Sequence, residues 1–167
     1  IFSGISGRTL PDEGVENERP IYVDIQQWTR PEPTLGSIRD LVFRDIFCES
    51  RGRIMMTAQD GAVIEGVTLD TVTVTVPDIE DPHESVPRAR SMQLSNFSPH
   101  TRAMRAAVVA DNVHDLVLRN VAYRWPVSPD VPMYGLCLRN CPGVIDESPR
   151  LQASKAGGER VAWVQRK

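Results

Sequence analysis

Apolar residues recur in the same short pattern at three places along the chain. The segments are IRDLVFRDIFC (38–48), IEGVTLDTVTV (64–74) and VHDLVLRNVAY (113–123). Each has an apolar residue, two further residues, an apolar–x–apolar run, and then a turn-forming residue before the next apolar residue. Such alternation is typical of a β-strand with one buried face. The repetition predicts that the segments stack on one another.

The spacing of the copies predicts another one between them. Ile64 follows Ile38 by 26 residues, and Val113 follows Ile64 by 49, about twice as many. ARSMQLSNF (89–97) falls near the midpoint and has the same pattern, and YGLCLRNCPG (134–143) is interpreted as a fifth copy. Two inward ladders are therefore predicted, one of Leu41, Val67, Met92 and Leu116, the other of Phe43, Leu69, Leu94 and Leu118.

The turn position of each copy holds a short polar residue: Asp45, Thr71, Asn96 and Asn120. Asn and Asp tolerate the left-handed backbone conformation and form local hydrogen bonds. These positions therefore predict a sharp corner between two short strands. Segments 19–26, 52–59 and 104–111, each of which precedes a copy, predict a second strand per repeat.

These features together predict an all-β protein. The expected fold is a single-stranded solenoid of about five coils with few or no helices. Residues 1–149 would form the coils, with a polar, proline-rich loop at 76–89, and residues 150–167 would close the C-terminal end. An antiparallel sandwich also has closely spaced strands, but it gives no reason for copies in phase.

Composition narrows the class of partner. The net charge is −3, so neither nucleic acid nor an anionic membrane is predicted as a partner, and no apolar run approaches the length of a membrane span. Cys48, Cys137 and Cys141 are too few for a disulfide framework. No His lies in metal-ligand spacing near the cysteines, and no Gly-rich loop leads into a helix, so neither a metal nor a cofactor is predicted.

Two longer segments point to a family. VENERPIYVDIQQW has Pro20, Ile21, Val23 and Asp24 where a motif N-P-I-x-I-D-x-x-Y has its fixed residues. The segment IRDLVFRDIFC follows the motif V-x-I-x-N-V-x-F-x-N-I. With the segments after it, to about residue 126, the chain resembles the C-terminal third of polygalacturonase-like glycoside hydrolases, which are right-handed parallel β-helices of the pectin-lyase-like class. Patterned apolar positions specify fold better than chemistry.

The resemblance implies that the chain is a right-handed parallel β-helix, in an extracellular or periplasmic protein that acts on acidic or pectin-type glycans. Inverting glycosidases need a protonated carboxyl and a carboxylate that activates water. The N-x-D, D-D, G-H-G and R-I-K motifs that carry this chemistry in the family do not occur here in register. Since the family places them before the first of the two matching motifs, the catalytic coils are expected N-terminal to Ile1.

The candidate site residues fall into two groups. Trp28 with Arg30 and Tyr22, and Arg51 with Arg53, are the predicted sugar contacts, because aromatic rings stack on pyranose faces and guanidinium groups bind uronate carboxylates. Asp24, Asp60 and His100 are weaker candidates for proton transfer. Each also has a simpler interpretation, as a packed ring or a solvated surface group.

Three functional hypotheses remain open. The chain is part of a polysaccharide-cleaving hydrolase, a non-catalytic glycan-binding module, or a structural assembly segment. Ile1, Phe2 and Ile5 read as part of a strand and not as a polar cap. Residues 1–10 are therefore expected to contact either an N-terminal β-helix segment or a second chain.

Overall fold

The computed structural model describes residues 1–9, 19–26, 35–50, 52–76, 106–124, 134–151 and 161–165. These residues form eleven strands and, within the described ranges, no helix. The strands are β1 (Phe2–Arg8), β2 (Tyr22–Ile25), β3 (Ser37–Glu49), β4 (Ile54–Ala58), β5 (Val63–Thr75), β6 (Ala106–Asp111), β7 (Val113–Arg119), β8 (Ala122–Arg124), β9 (Tyr134–Arg139), β10 (Ile145–Glu147) and β11 (Val161–Gln165).

The strands form two sheets in which every pairing is parallel. The first sheet has the order β1-β3-β5-β7-β10, with β8 beside the distal half of β5. The second sheet has the order β11-β9-β6-β4-β2. Strands of the two sheets alternate along the chain, except that β7 and β8 both belong to the first sheet, so one repeat unit is a second-sheet strand followed by first-sheet structure. The prediction of an all-β protein with stacked parallel strands is confirmed.

The register of the first sheet follows the sequence repeat. Ile38 pairs with Ile64, and Ile64 pairs with Val113, so the three strong copies lie directly on one another. Leu69 lies between Phe43 and Leu118 in the second of the two predicted ladders. The segments beginning at residues 19, 52 and 104 contribute β2, β4 and β6 to the second sheet, as predicted.

Two predictions about the weaker copies are wrong. Because β5 pairs directly with β7, no strand lies between Leu69 and Leu118, and the places predicted for Met92 and Leu94 in the ladders do not exist. Those two residues, Asn96 and most of the 76–89 loop lie outside the described residues. The segment 134–143 is not a fifth first-sheet copy, because β9 pairs with β6 in the second sheet, and β10 is the first-sheet strand that follows it.

The predicted corners are left-handed. Asp45, Thr71 and Asn120 have φ of 52°, 56° and 50°. They lie at the same level of neighbouring strands, since the residues on either side of Asp45 and Thr71 pair with each other. Residues other than glycine adopt this conformation at a cost in free energy. A short polar side chain lowers that cost through local hydrogen bonds, whereas a β-branched aliphatic side chain would raise it.

The core lies between the two sheets. Val67, Leu69, Leu116 and Leu118 of the first sheet have no exposed surface, and they belong to one cluster with second-sheet residues such as Met56. The opposite face of the first sheet carries ion pairs. There Arg44 pairs with Asp70 at 3.2 Å and Arg119 with Glu147 at 3.1 Å. Exposed pairs of this kind contribute about 0–1 kcal/mol each.

Gly143 gives a test of the left-handed corners. Its φ is +73°, and a Cβ at this position would collide with the carboxylate of Asp115. Replacing Gly143 with alanine should lower the free energy of unfolding by about 1–2 kcal/mol, because L residues resist this conformation. Gly7→Ala is the control: no heavy atom lies within 4 Å of its ideal Cβ. Chemical denaturation of both variants measures the difference, and equal stabilities would contradict the prediction.

Candidate functional site

A row of polar residues crosses the second sheet. Asp24 of β2 pairs with Thr57 of β4, Thr57 with Asp111 of β6, and Asp111 with Arg139 of β9. The residues that precede them in each strand, such as Met56 and Ala110, belong to the core between the sheets. Successive side chains of a strand point to opposite faces. The polar row, defined as these four residues, therefore lies on the outer face of the second sheet.

A second apolar cluster lies beside the polar row. Met55, Val109 and Cys137 are in register with one another and at most 2% exposed, and they form a cluster separate from the core. Tyr22 occupies the same register position in β2 but is 40% exposed. The outer face of the second sheet is thus enclosed from β4 to β9 and open to solvent at β2.

Asp24 is the carboxyl group at the open end of the polar row. Its Oδ1 accepts a hydrogen bond from the Thr57 hydroxyl at 2.9 Å, and its Oδ2 accepts one from the Tyr22 hydroxyl at 3.1 Å and one from the Gln26 amide. Partial burial nevertheless raises the pKa of Asp24 above its ordinary value, because desolvation outweighs these hydrogen bonds. The carboxyl is therefore held in place by three neutral donors and binds its proton more tightly than a free side chain does.

An arginine and an aromatic ring meet next to Asp24. The Arg19 guanidinium lies 4.1 Å from the centroid of the Tyr22 ring, within the range of a cation–π contact. Burial and the nearby Asp24 charge raise the pKa of the Tyr22 hydroxyl, so it stays protonated and donates. Arg19, Tyr22, Asp24 and Gln26 form what we call the β2 patch. It combines a half-exposed aromatic ring with a partly buried cation and a partly buried carboxyl.

The enclosed end of the polar row is an ion-pair network. Arg139 Nε lies 2.6 Å from Asp111 Oδ1, and an Arg139 terminal nitrogen lies 2.8 Å from Asp60 Oδ1. Burial alone would lower the pKa of Arg139, but the hydrogen bonds to the two carboxylates raise it. Asp111 is 2% exposed, whereas the Asp60 side chain is 66% exposed. Arg139 is thus bound by two carboxylates, of which Asp111 is shielded from solvent and Asp60 is exposed.

Two asparagines extend this network at the corner after the second-sheet strands. Asn112 and Asn140 have φ of 55° and 50° and stack at the same level. The Asn140 amide donates to Asn112 Oδ1, and Asn112 Nδ2 donates to the Ala58 carbonyl at 2.6 Å. These bonds satisfy backbone and side-chain groups that the corner would leave unpaired, so the asparagines fix the direction of the chain.

The structure brings only some of the predicted site residues together. Tyr22 and Asp24 are joined in the β2 patch, and Asp60 lies beyond β4, bound to Arg139 two strands away. Arg53 was expected at the surface but has no exposed area, and its guanidinium contacts the Met55 sulfur at 3.9 Å. Trp28, Arg30, Arg51 and His100 lie outside the described residues, and their roles stay predictions.

Sequence reasoning missed Arg19, Thr57, Asp111 and Arg139. The signal was present, since three of them share a register position with Asp24. Finding it requires sliding the 104–111 segment by two residues against the 52–59 segment. Such a shift keeps every side chain on the same face, so the apolar pattern does not distinguish the two alignments.

The described residues show no sign of thiol or metal chemistry. Burial raises the pKa of Cys48, Cys137 and Cys141 to about 11 each, so the reactive thiolate is scarce at neutral pH. Over the described ranges, no group of three His, Cys, Asp or Glu residues could hold a metal ion. Nor does this part of the chain contain a helix long and apolar enough to cross a membrane.

Comparison with known proteins gives no family. The chain matches no family model, and no curated protein and no solved structure is significantly similar to it. Function must therefore be argued from the site itself.

Asp24 gives the site a pH-dependent signature. Because its pKa is higher in the folded chain than its ordinary 3.8, the protonated carboxyl stabilises the fold at low pH. That stability is lost as the pH rises through the folded pKa. We expect the unfolding free energy of the wild type, relative to Asp24→Asn, to fall between acidic and neutral pH. Urea titrations across this range test it, and a difference that grows with pH would contradict it.

Proposed function

We propose that the chain is the C-terminal part of a right-handed parallel β-helix protein that hydrolyses acidic or pectin-type polysaccharides. The catalytic carboxylates lie outside this chain, and the β2 patch is part of the glycan-binding surface. The location is extracellular or periplasmic. The in-register stacking of alternating second-sheet and first-sheet strands supports the β-helix.

The observation that carries the proposal is the opening of the polar row at β2. There the Tyr22 ring is half-exposed beside the Arg19 guanidinium and the Asp24 carboxyl. Aromatic rings pack on the apolar faces of pyranoses, guanidinium groups bind uronate carboxylates, and a carboxyl accepts from sugar hydroxyls. Trp28 and Arg30, which follow β2 in the sequence, extend this surface as the predicted sugar contacts.

The carboxylates of the polar row support a role in binding and not in proton transfer. Asp111 is enclosed and paired with Arg139. A general acid or base must reach its substrate within hydrogen-bonding distance, and Asp111 is shielded from it. Asp24 is accessible, but an inverting hydrolase needs two accessible carboxyl groups. A non-catalytic glycan-binding module, favoured by the same enclosure of Asp111, is the second candidate.

Binding of oligogalacturonate, measured by isothermal titration calorimetry, tests the proposal. Tyr22→Ala should weaken binding about two- to tenfold, because a stacked ring contributes about 0.5–1.5 kcal/mol. Phe47→Ala is the matched control: Phe47 is 50% exposed but lies on the first sheet, so its loss should leave affinity unchanged. Equal losses in both variants, or no binding by the wild type, would argue against the β2 patch.

A reducing-sugar assay tests the placement of catalysis. The 167-residue chain alone should give no turnover of polygalacturonate. A protein completed with the catalytic coils should act on a uronate- or rhamnose-containing polysaccharide. In that protein Trp28→Ala should weaken binding more than it lowers stability. Robust turnover by the isolated chain would contradict the proposal that the catalytic carboxylates lie outside it.

A further inference from the structure

The first sheet ends at β1, which exposes apolar side chains. All seven residues of β1 are exposed, and among the strands that the structure describes β1 pairs only with β3. Phe2 and Ile5 are in register with the core residues Phe43 and Ile46. The exposed fractions are 49% and 47% for the β1 pair, against 8% and 4% for the β3 pair. Phe2 and Ile5 therefore occupy register positions that are buried in β3 but about half exposed to solvent in β1.

The bend of β1 continues that of the strands behind it. Gly4 has φ of 65° and lies level with the left-handed corner Asp45, since Ser3 pairs with Arg44 and Ile5 with Ile46. Thr71 and Asn120 continue the same row of corners. A strand that pairs along the free edge of β1 must bend at this level too, so it needs a residue that tolerates the left-handed conformation.

The opposite edge of the first sheet is protected by contrast. Its last strand, β10, has three residues, two of which are Asp146 and Glu147. It ends in a turn in which Asp146 Oδ1 accepts from the Ser148 backbone and Ser148 Oγ accepts from the Val121 backbone at 2.9 Å. Short, charged and capped edges are how proteins prevent strand pairing. β1 has one charged residue, Arg8, which pairs with Glu49.

From these observations we infer that the free edge of β1 is a docking surface for a parallel β-strand of another repeat unit. The partner strand has apolar residues opposite Phe2 and Ile5 and Gly, Asn or Asp opposite Gly4. Antiparallel pairing with a second copy fits poorly. The left-handed corners of two antiparallel β1 strands coincide only when Gly4 pairs with Gly4. That register places Phe2, which faces the core side of the sheet, opposite Ser6. Ser6 faces the other side, because it is in register with Phe47, which is exposed on the outer face. The inference does not depend on glycan binding.

The test supplies such a strand. A copy of segment 37–50, with Cys48→Ser, is fused ahead of Ile1 through a Gly/Ser linker of about 15 residues, enough for a parallel crossover. Amide hydrogen exchange of Phe2–Arg8 should slow about tenfold or more relative to the unextended chain. A matched fusion carries Asp45→Val in the copied segment. Valine is β-branched and, unlike Asp45, Thr71 or Asn120, has no polar side chain to support the left-handed corner, so this fusion should give little protection.

Each other outcome overturns the inference. Absence of protection in both fusions would show that β1 does not accept a strand. Equal protection by both would show that the corner does not select the partner. A concentration-dependent dimer of the unextended chain with protected β1 amides would identify a second copy as the occupant. Unchanged exchange of Val67–Thr73 confirms in every case that the rest of the sheet is folded.

Discussion

Replacing Leu69 with alanine should lower the free energy of unfolding by about 2–5 kcal/mol. Leu69 has no exposed surface and lies between Phe43 and Leu118 in an inward ladder of the first sheet. Its side chain also faces residues of the second sheet across the core. Because the ladder residues on both sides are fixed by backbone pairing, the core has little freedom to collapse into the space left by the leucine. The cost should therefore include a cavity as well as lost burial.

Thr68→Ala is the control for this prediction. Thr68 is in the same strand, pairs with Val42 and Val117, and is only partly buried, with its side chain on the outer face. Its loss should cost about 1 kcal/mol or less, the range of strand propensity. Urea unfolding at one pH compares the two variants. Similar midpoints would show that the ladder does not form a close-packed core.

The sequence predicted the first sheet better than the second. Copies of the first-sheet strands share not only alternation but also a left-handed residue at a fixed position, as at Asp45 and Thr71. That residue breaks the period of two and so fixes the register. The second-sheet strands β2, β4 and β6 have no such internal marker. Their existence was predictable from apolar alternation, but their alignment was not.

The extra copy at 89–97 was predicted from its spacing and its apolar pattern, and the spacing was misleading. The chain from Ile64 to Val113 is about twice as long as from Ile38 to Ile64, yet both segments advance the first sheet by one strand. Connections between repeat units vary in length without changing the stacking, since lengthening a loop costs little free energy. A regular interval in sequence therefore does not by itself count repeat units.

The candidate site, like the fold, was predicted only in part. Tyr22 was predicted as a sugar contact and Asp24 as a weaker candidate for proton transfer, and the structure joins them through a hydrogen bond. Arg53 was predicted at the surface as a sugar contact, because guanidinium groups bind uronate carboxylates. It is instead buried beside Met55, on an outer face that is itself covered. Burial of an outer face depends on what packs over it, which strand patterns do not reveal.

The Asp111–Arg139 pair is the clearest case of a charge buried by its surroundings. Both side chains are enclosed, and the two atoms that bond are 2.6 Å apart. Two ions in a low-dielectric setting are costly to desolvate, and their mutual attraction offsets that cost only while both are present. The pair is therefore a poor source of net stability but a strong constraint on which residues can be changed singly.

Asp111→Asn should consequently destabilise the fold by about 3–5 kcal/mol. Within the described residues, two carboxylates bond the Arg139 guanidinium, and the change removes the enclosed one and leaves the exposed Asp60. Asp60→Asn, which removes the exposed partner of the same arginine, should cost about 0–1 kcal/mol. Replacing both enclosed ions with apolar residues, Asp111→Leu with Arg139→Met, should recover much of the loss. Denaturant unfolding of the three variants decides the matter. A cost for Asp111→Asn no greater than that for Asp60→Asn would mean that water reaches the pair and that this end of the polar row is open to ligands as well.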